Sequence, residues 1–184
     1  MRLAIKLMEM KMKKLLALFL FLSSPAVADQ LYDASISVPM TVTAGAYVAS
    51  KSLGGLYTVP VFRSGLSGAR LQWASVRSSS GVTPTLTIYV FNANPTGSTC
   101  TDTSSFALVA ADVPKLVYTS SLTLAAPQGS TPTAGTTAMN LGLSFNNTDA
   151  TQTNKAYVCI VAGSGGVTPA STTDFSFALG VSPD

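Results

Sequence analysis

The chain has no histidine, and its only glutamate is Glu9. Histidine is the usual general base near neutral pH and the commonest zinc ligand. Without it, neither a Ser-His-Asp nor a Cys-His site can be assembled. A paired-carboxylate mechanism would have to draw on seven aspartates: Asp29, Asp33, Asp102, Asp112, Asp149, Asp174 and Asp184. Each stands alone in a turn or near an end, where aspartate is ordinarily a turn former. Glycosidase chemistry needs two carboxyls roughly 5–10 Å apart, and nothing in the spacing pairs them. The reading is therefore not an enzyme. Metal and cofactor motifs are missing too. Gly163-Ser164-Gly165-Gly166 runs into Val-Thr-Pro rather than a helix, and it lacks both the P-loop lysine and a dinucleotide fingerprint, so it reads as a turn. Asp102 and Asp149 are loop aspartates of the kind calcium takes, but no D-x-[DN]-x-[DN]-G pattern accompanies either. No cofactor and no metal are expected.

Charge is scarce, at 10% of the residues, and much of the positive charge sits at the front. Lys13 and Lys14 precede eight apolar residues, 15–22 (LLALFLFL), and then Ser23-Ser24-Pro25 and Ala26-Val27-Ala28. A basic start, a short apolar run and a small-x-small exit predict a secretory signal peptide over residues 1–28, cleaved before Asp29. Eight residues rise only about 12 Å as helix against a bilayer core of roughly 30 Å, so this run is too short to anchor the chain. The remainder, 29–184, is expected to be one exported domain with no membrane span, periplasmic, extracellular or at the cell surface. It keeps six basic residues (Lys51, Arg63, Arg70, Arg77, Lys115, Lys155) against the seven aspartates. No basic patch is left to argue for nucleic acid.

What the chain has is β-character. Thr, Ser, Val, Ala and Leu, with spaced aromatics, suit pleated and half-buried surfaces, and Gly and Pro punctuate them at short intervals. The best strand is 85–91 (TLTIYVF). Leu86, Ile88 and Val90 fall on one face, and Thr85, Thr87, Tyr89 and Phe91 on the other. A second run, 155–162 (KAYVCIVA), reads as a strand, and 31–43, 56–62, 69–78, 116–124, 139–145 and 175–181 complete about eight. Residues 69–78 and 85–92 are expected to pair as a hairpin across a short polar connection, with Leu71, Trp73 and Val76 inward and an irregularity near Ala74. Residues 106–113 (FALVAADV) alone have helical character, one or two turns ended by Pro114. The pattern has no βαβ alternation and no long repeat. It predicts an all-β chain, an antiparallel two-sheet sandwich of jelly-roll type, favoured over a closed barrel because prolines fall inside edge-like strands.

Cys100 and Cys159 are the only two cysteines. Two cysteines in an exported chain usually pair, and two thiolates without histidine leave a zinc site half made. A Cys100–Cys159 bridge is expected. It would contribute roughly 4 kcal/mol in the chain-entropy model. Trp73, Tyr89 and Tyr157 could stack on sugars, although aromatics on alternating strands more often pack in the core. Asn146-Asn147-Thr148 matches a glycosylation acceptor.

Residues 91–115 (FNANPTGSTCTDTSSFALVAADVPK) resemble a family of small β-sandwich proteins encoded in tailed-phage and prophage genomes and taken to be virion components. The shared pattern is F-x-A-N-P-T, then Thr-Asp, then Ala-Asp-x-x-K. Here it falls on Phe91, Asn94, Pro95, Thr96, Thr101, Asp102, Ala111, Asp112 and Lys115. The likeness implies a β-sandwich with a packing, decoration or surface role, and it carries over no catalytic residue. The leader and the two cysteines depart from the family pattern and point to a version that is exported. Together these features predict a non-enzymatic structural or binding module. Its partners would be further copies of itself or another protein, met at edge strands and at the loops 94–105 and 127–137. The alternative is a carbohydrate-binding or adhesin-like module whose exposed aromatics form a glycan platform.

Overall fold

The unbroken apolar run at 155–162 forms a strand with no solvent face. In the computed structural model, which describes residues 34–61, 68–125, 133–136, 143–146 and 155–183, every residue from Ala156 to Ala162 is buried. Ala156, Val158, Ile160 and Ala162 point into the main core. Tyr157, Cys159 and Val161 point the other way, into a second apolar cluster. Alternation disappears from such a sequence because both faces are covered.

Nine strands are described: β1 Ala34–Pro39, β2 Ser52–Pro60, β3 Gly68–Ser78, β4 Thr85–Phe91, β5 Leu116–Thr123, β6 Thr133–Thr136, β7 Leu143–Asn146, β8 Lys155–Ala162 and β9 Phe175–Pro183. All pairings are antiparallel. One sheet runs β1-β9-β3. On the far side of β3, β6 pairs with Ser75–Ser78 and β7 with Gly68–Leu71, so two short strands share one edge. The other sheet runs β2-β8-β4-β5. Each sheet thus interleaves early and late strands, the arrangement of a jelly roll. The all-β, two-sheet expectation holds. The leader at 1–28, residues 127–132 and 137 of the expected loop and the acceptor at 146–148 apart from Asn146 lie outside the described residues; residues 133–136, expected as part of that loop, are the strand β6, paired with β3.

The space between the sheets is filled by alternate residues of both. Leu71, Ala74, Val76, Phe177, Leu179 and Val181 come from the first sheet, and Leu86, Ile88, Val90, Val158 and Ile160 from the second. Burying each Val, Leu, Ile or Phe contributes about 1.5–3 kcal/mol. The predicted faces of β4 are the observed ones: Leu86, Ile88 and Val90 are in the core, and Phe91 lies on the opposite side.

The long connection between β4 and β5 folds back over the outer face of the second sheet. Its Phe106 and Leu108 pack with Phe91, Tyr157 and Val161, and the rings of Tyr89 and Phe106 lie 4.4 Å apart. The Cys100–Cys159 disulfide, with Cα atoms 6.2 Å apart, pins this flap to β8. The flap also pairs with the start of β2: Thr103 N donates to Ser52 O, Ser52 N to Ser104 O and Phe106 N to Ser50 O.

Three expectations need correction. The helical turn is a 3-10 helix at Ala110–Lys115, with Pro114 inside it. Residues 106–109 are extended, because Phe106 and Leu108 alternate toward the sheet and Ala107 bridges Thr99. β3 and β4 do not form a hairpin; they lie in different sheets. The short polar link between them crosses the end of the sandwich, and shortness alone does not separate a hairpin from a crossing. Finally, the irregularity in β3 falls between Leu71 and Trp73, not at Ala74. That bulge shifts the alternation, so Ala74 is buried and Trp73 faces outward.

Candidate functional site

Three of the family-like residues, Asn94, Asp112 and Lys115, come together as a clasp at the end of the flap. Asp112, 1% exposed, accepts from Gly97 N at 2.9 Å and Ser98 Oγ at 2.8 Å. Its other oxygen accepts from Lys115 Nζ at 2.7 Å. Lys115 Nζ also donates to the carbonyl of Asn94 at 2.8 Å. The spacing A-D-x-x-K puts acid and lysine one 3-10 turn apart, within reach of the Asn94–Ser98 turn. Lys115, against the opposing effect of burial and with help from Ser98 and Gly97, holds the Asp112 carboxyl below its ordinary value. Phe91 is fully buried beneath the flap and Pro95 is buried in the turn. Thr96 and Thr101 are exposed; the carbonyl of Thr101 accepts from Ser104 N.

Asp102 is a second clasp. One oxygen accepts from Tyr47 Oη and Gly54 N, both at 2.6 Å, and the other from Thr43 Oγ1 at 2.6 Å and Thr43 N at 3.0 Å. Burial alone would raise this carboxyl, but the bonds from Thr43, Tyr47 and Gly54 outweigh it and hold the group low. Burial and then the Asp102 bond push Tyr47 up to about 12; burial and then the Asp102 charge push Tyr57 up as well. All four contacts of Asp102 are hydrogen donors. That is the surrounding of a fixed anion rather than of a calcium ligand, and no cluster of three metal-ligating side chains occurs among the described residues. Asp149 lies outside them.

A third clasp was not singled out from the sequence. Asp174 accepts from Ser78 Oγ, Ser79 Oγ and Ser80 N with one oxygen, and from Ser80 Oγ and Ala170 N with the other. These bonds override the effect of burial and lower its pKa to about 2. The signal available was the Ser78-Ser79-Ser80 run after one strand and a lone aspartate just before another.

Two surfaces remain. At one end of the sandwich a cleft of about 730 Å³ opens between the segments 46–49, 82–85 and 164–168. Its loops are tied by Tyr47 N to Val167 O, Val167 N to Tyr47 O and Gly163 N to Thr85 O. It offers hydroxyls and backbone groups, and its one ionisable residue, Tyr47, turns its O–H to Asp102. The second surface is the outer face of the first sheet. Of the three aromatics able to stack on a sugar, Tyr157 is 4% exposed and Tyr89 lies against Phe106 under the flap. Trp73 alone of the three stands on a sheet face that no other described segment covers.

No family model matches the sequence, and no curated protein does so. Among solved structures the chain is similar to a chain of the heated full particle of Israeli acute paralysis virus, at 12% identity and a TM-score of 0.37, over 86% of this chain and 72% of that one. It is similar to turnip yellow mosaic virus, at 11% identity and a TM-score of 0.28, over 86% and 84%. It is also similar to the sugar-binding EclA C-terminal domain, at 12% identity and a TM-score of 0.28, over 86% of each chain. At these values none of them fixes a role.

Proposed function

We propose that this chain is an exported, non-catalytic β-sandwich that works through its surface, assembling with further copies of itself or with a protein partner by strand addition at β1. The observation that carries the reading is the edge of β1. Met40 N donates to Phe175 O at 2.9 Å. In an antiparallel pair that parity turns the hydrogen-bonding groups of Ser35, Ser37 and Pro39 away from β9. Among the described residues no strand covers that side, and the strand ASISVP carries no charge of the kind that guards an edge. By contrast, the edge of β2 is partly occupied by the flap, and the far edges of the two sheets are joined by the Ala125–Ala134 bridge. Pro39 sits where its missing N–H costs β9 nothing.

The aspartates support the non-catalytic half. Asp102, Asp112 and Asp174 each hold loops together through donors that fill their oxygens. The disulfide suits an oxidising compartment, and the likeness of 91–115 to phage and prophage β-sandwich proteins fits an assembly role. A second reading, glycan binding, is favoured by the outward position of Trp73.

Sedimentation velocity on the exported protein tests assembly, with intact mass showing whether it begins at Asp29. Wild type should associate or be captured by its partner. Ser37→Pro, which removes an outward edge N–H, should be monomeric with an unchanged melting temperature. A strictly monomeric wild type that binds no virion, envelope or glycan component would sink the assembly reading. Turnover of any substrate in a glycan and peptide panel, abolished by Asn at Asp102, Asp112 or Asp174 without unfolding, would sink the non-catalytic one.

A further inference from the structure

The register of the first sheet sets what its outer face presents. On β3, Trp73 stands opposite Gly180 and Arg77 opposite Ser176, with Ser75 and Ala178 paired between them. Beyond β9, β1 brings Ser35 opposite Gly180 and Ser37 opposite Ala178. Apart from Gly180, these residues line a groove of about 160 Å³. A Cβ at position 180 would lie 2.1 Å from Trp73 Nε1 and 2.3 Å from Cε2. The indole therefore occupies the space that glycine leaves over β9, which fixes its place on the sheet before any ligand arrives. Trp73 is half-buried and Arg77 exposed.

Two physical features decide what such a face suits. It is poor in the branched apolar side chains that pack one sheet on another, so it is not built as the inner layer of a larger sandwich. The groove itself carries a single cation, Arg77, with no carboxylate paired to it among the described residues, and Arg70, opposite Ser182, lies further along the same face. The complementary ligand is an anion with hydroxyls and a flat apolar face. A pyranose ring supplies the face for the indole, and serine hydroxyls both donate to and accept from sugar hydroxyls. A guanidinium takes a carboxylate through two parallel bonds. Trp73 and Arg77 are four residues apart, about 13 Å along the strand, so a chain of sugars rather than one unit reaches both.

We propose that the outer face of the first sheet binds an acidic glycan chain, with a sugar ring on Trp73, a uronate carboxylate on Arg77 and the intervening serines bonding its hydroxyls. This rests on the glycan-binding reading and adds the site and the charge of the ligand.

Trp73 is the only tryptophan in the chain, so its fluorescence reports on the site itself. The protein is titrated with tetragalacturonate and a hyaluronan tetrasaccharide, and with cellotetraose as the neutral counterpart. Oligothymidylate and anionic vesicles are added as other partners of an aromatic-plus-arginine surface. The expected result is saturable quenching by at least one uronate oligosaccharide, weakened by salt. Arg77→Gln should lose about tenfold or more in affinity. Ser37→Glu, an exposed site that sets a carboxylate beside the groove, should lose comparably, and both variants should melt as wild type does. Silence toward both uronates, or undiminished binding by Arg77→Gln, overturns the proposal, as does tighter binding of oligothymidylate or vesicles. If cellotetraose alone binds, or a glycan array finds ligands that leave Trp73 fluorescence unchanged, this site is wrong while glycan binding stands. If no glycan binds at all, both fall.

Discussion

The amide of Gly54 meets the carboxylate of Asp102 at 2.6 Å, joining β2 to a flap residue 48 positions later in the chain. Gly54 holds a φ of +72°, and a Cβ there would lie 1.7 Å from Tyr57 Oη and 2.6 Å from Thr41 O. Gly54→Ala should therefore cost more than the usual glycine replacement, about 1–3 kcal/mol of strain, with a melting temperature several degrees lower. Gly45→Ala is the control, since nothing lies within 4 Å of its added methyl. Equal melting temperatures for the two variants would show that the Gly54 turn relaxes freely.

Asp174 gives a pH dependence. Its folded pKa lies near 2 against an ordinary 3.8, so the unfolded chain binds its proton first as pH falls. The stability it contributes is fully present above 3.8 and is lost as pH drops through about 2. Asp102 and Asp112 act in the same direction. Urea unfolding across this range should show wild type weakening toward low pH, and Asp174→Ala should be less stable at neutral pH with a shallower acid slope. Parallel slopes would mean that the serine clasp does not hold the carboxylate in solution.

Reduction, or Cys159→Ser, should free the flap before it unfolds the sandwich. The expected signature is faster hydrogen exchange at Phe106 and Leu108, with β4 and β8 still protected at low temperature, and a total loss of about 4 kcal/mol in the chain-entropy model. Free thiols that label in the native oxidised protein would contradict the bridge.

Lys115 and Asp112 form a pair in which the acid is buried and the lysine partly exposed. Lys115→Met leaves a buried carboxylate with two neutral donors and should cost about 2 kcal/mol or more. Asp112→Asn in that background should restore part of the loss, which a double-mutant cycle measures. A neutral Lys115→Met would place the strength of the clasp in Gly97 and Ser98 instead.

Much of the architecture was legible because strands announce themselves by period. Leu86, Ile88 and Val90 alternate with Thr87 and Tyr89, and the fold follows that alternation. The Phe91–Lys115 pattern was visible, but not its purpose. The Asp112–Lys115 pair follows from its spacing of three, but the bond from Lys115 to the Asn94 carbonyl is a contact that no side-chain spacing encodes. Trp73 was misplaced because the extra residue in β3 comes before it rather than after it, near Ala74; Leu71 and Val76 are inward as expected. The β3–β4 link misled for a different reason: Ser78, Ser79 and Ser80 serve an aspartate almost a hundred residues away, and partners that remote leave no local trace.

The interleaving of strands also bears on when the chain can fold. β8 lies inside the second sheet and β9 inside the first, each flanked on both sides by strands made much earlier. A nascent chain that has reached β5 holds β1 and β3 without the strand that joins them, and β2 and β4 likewise. Neither sheet can close until β8 and β9 have been made, and the loop-closure entropy of those pairings must be met at once. Folding is therefore slow to nucleate and waits on β8 and β9.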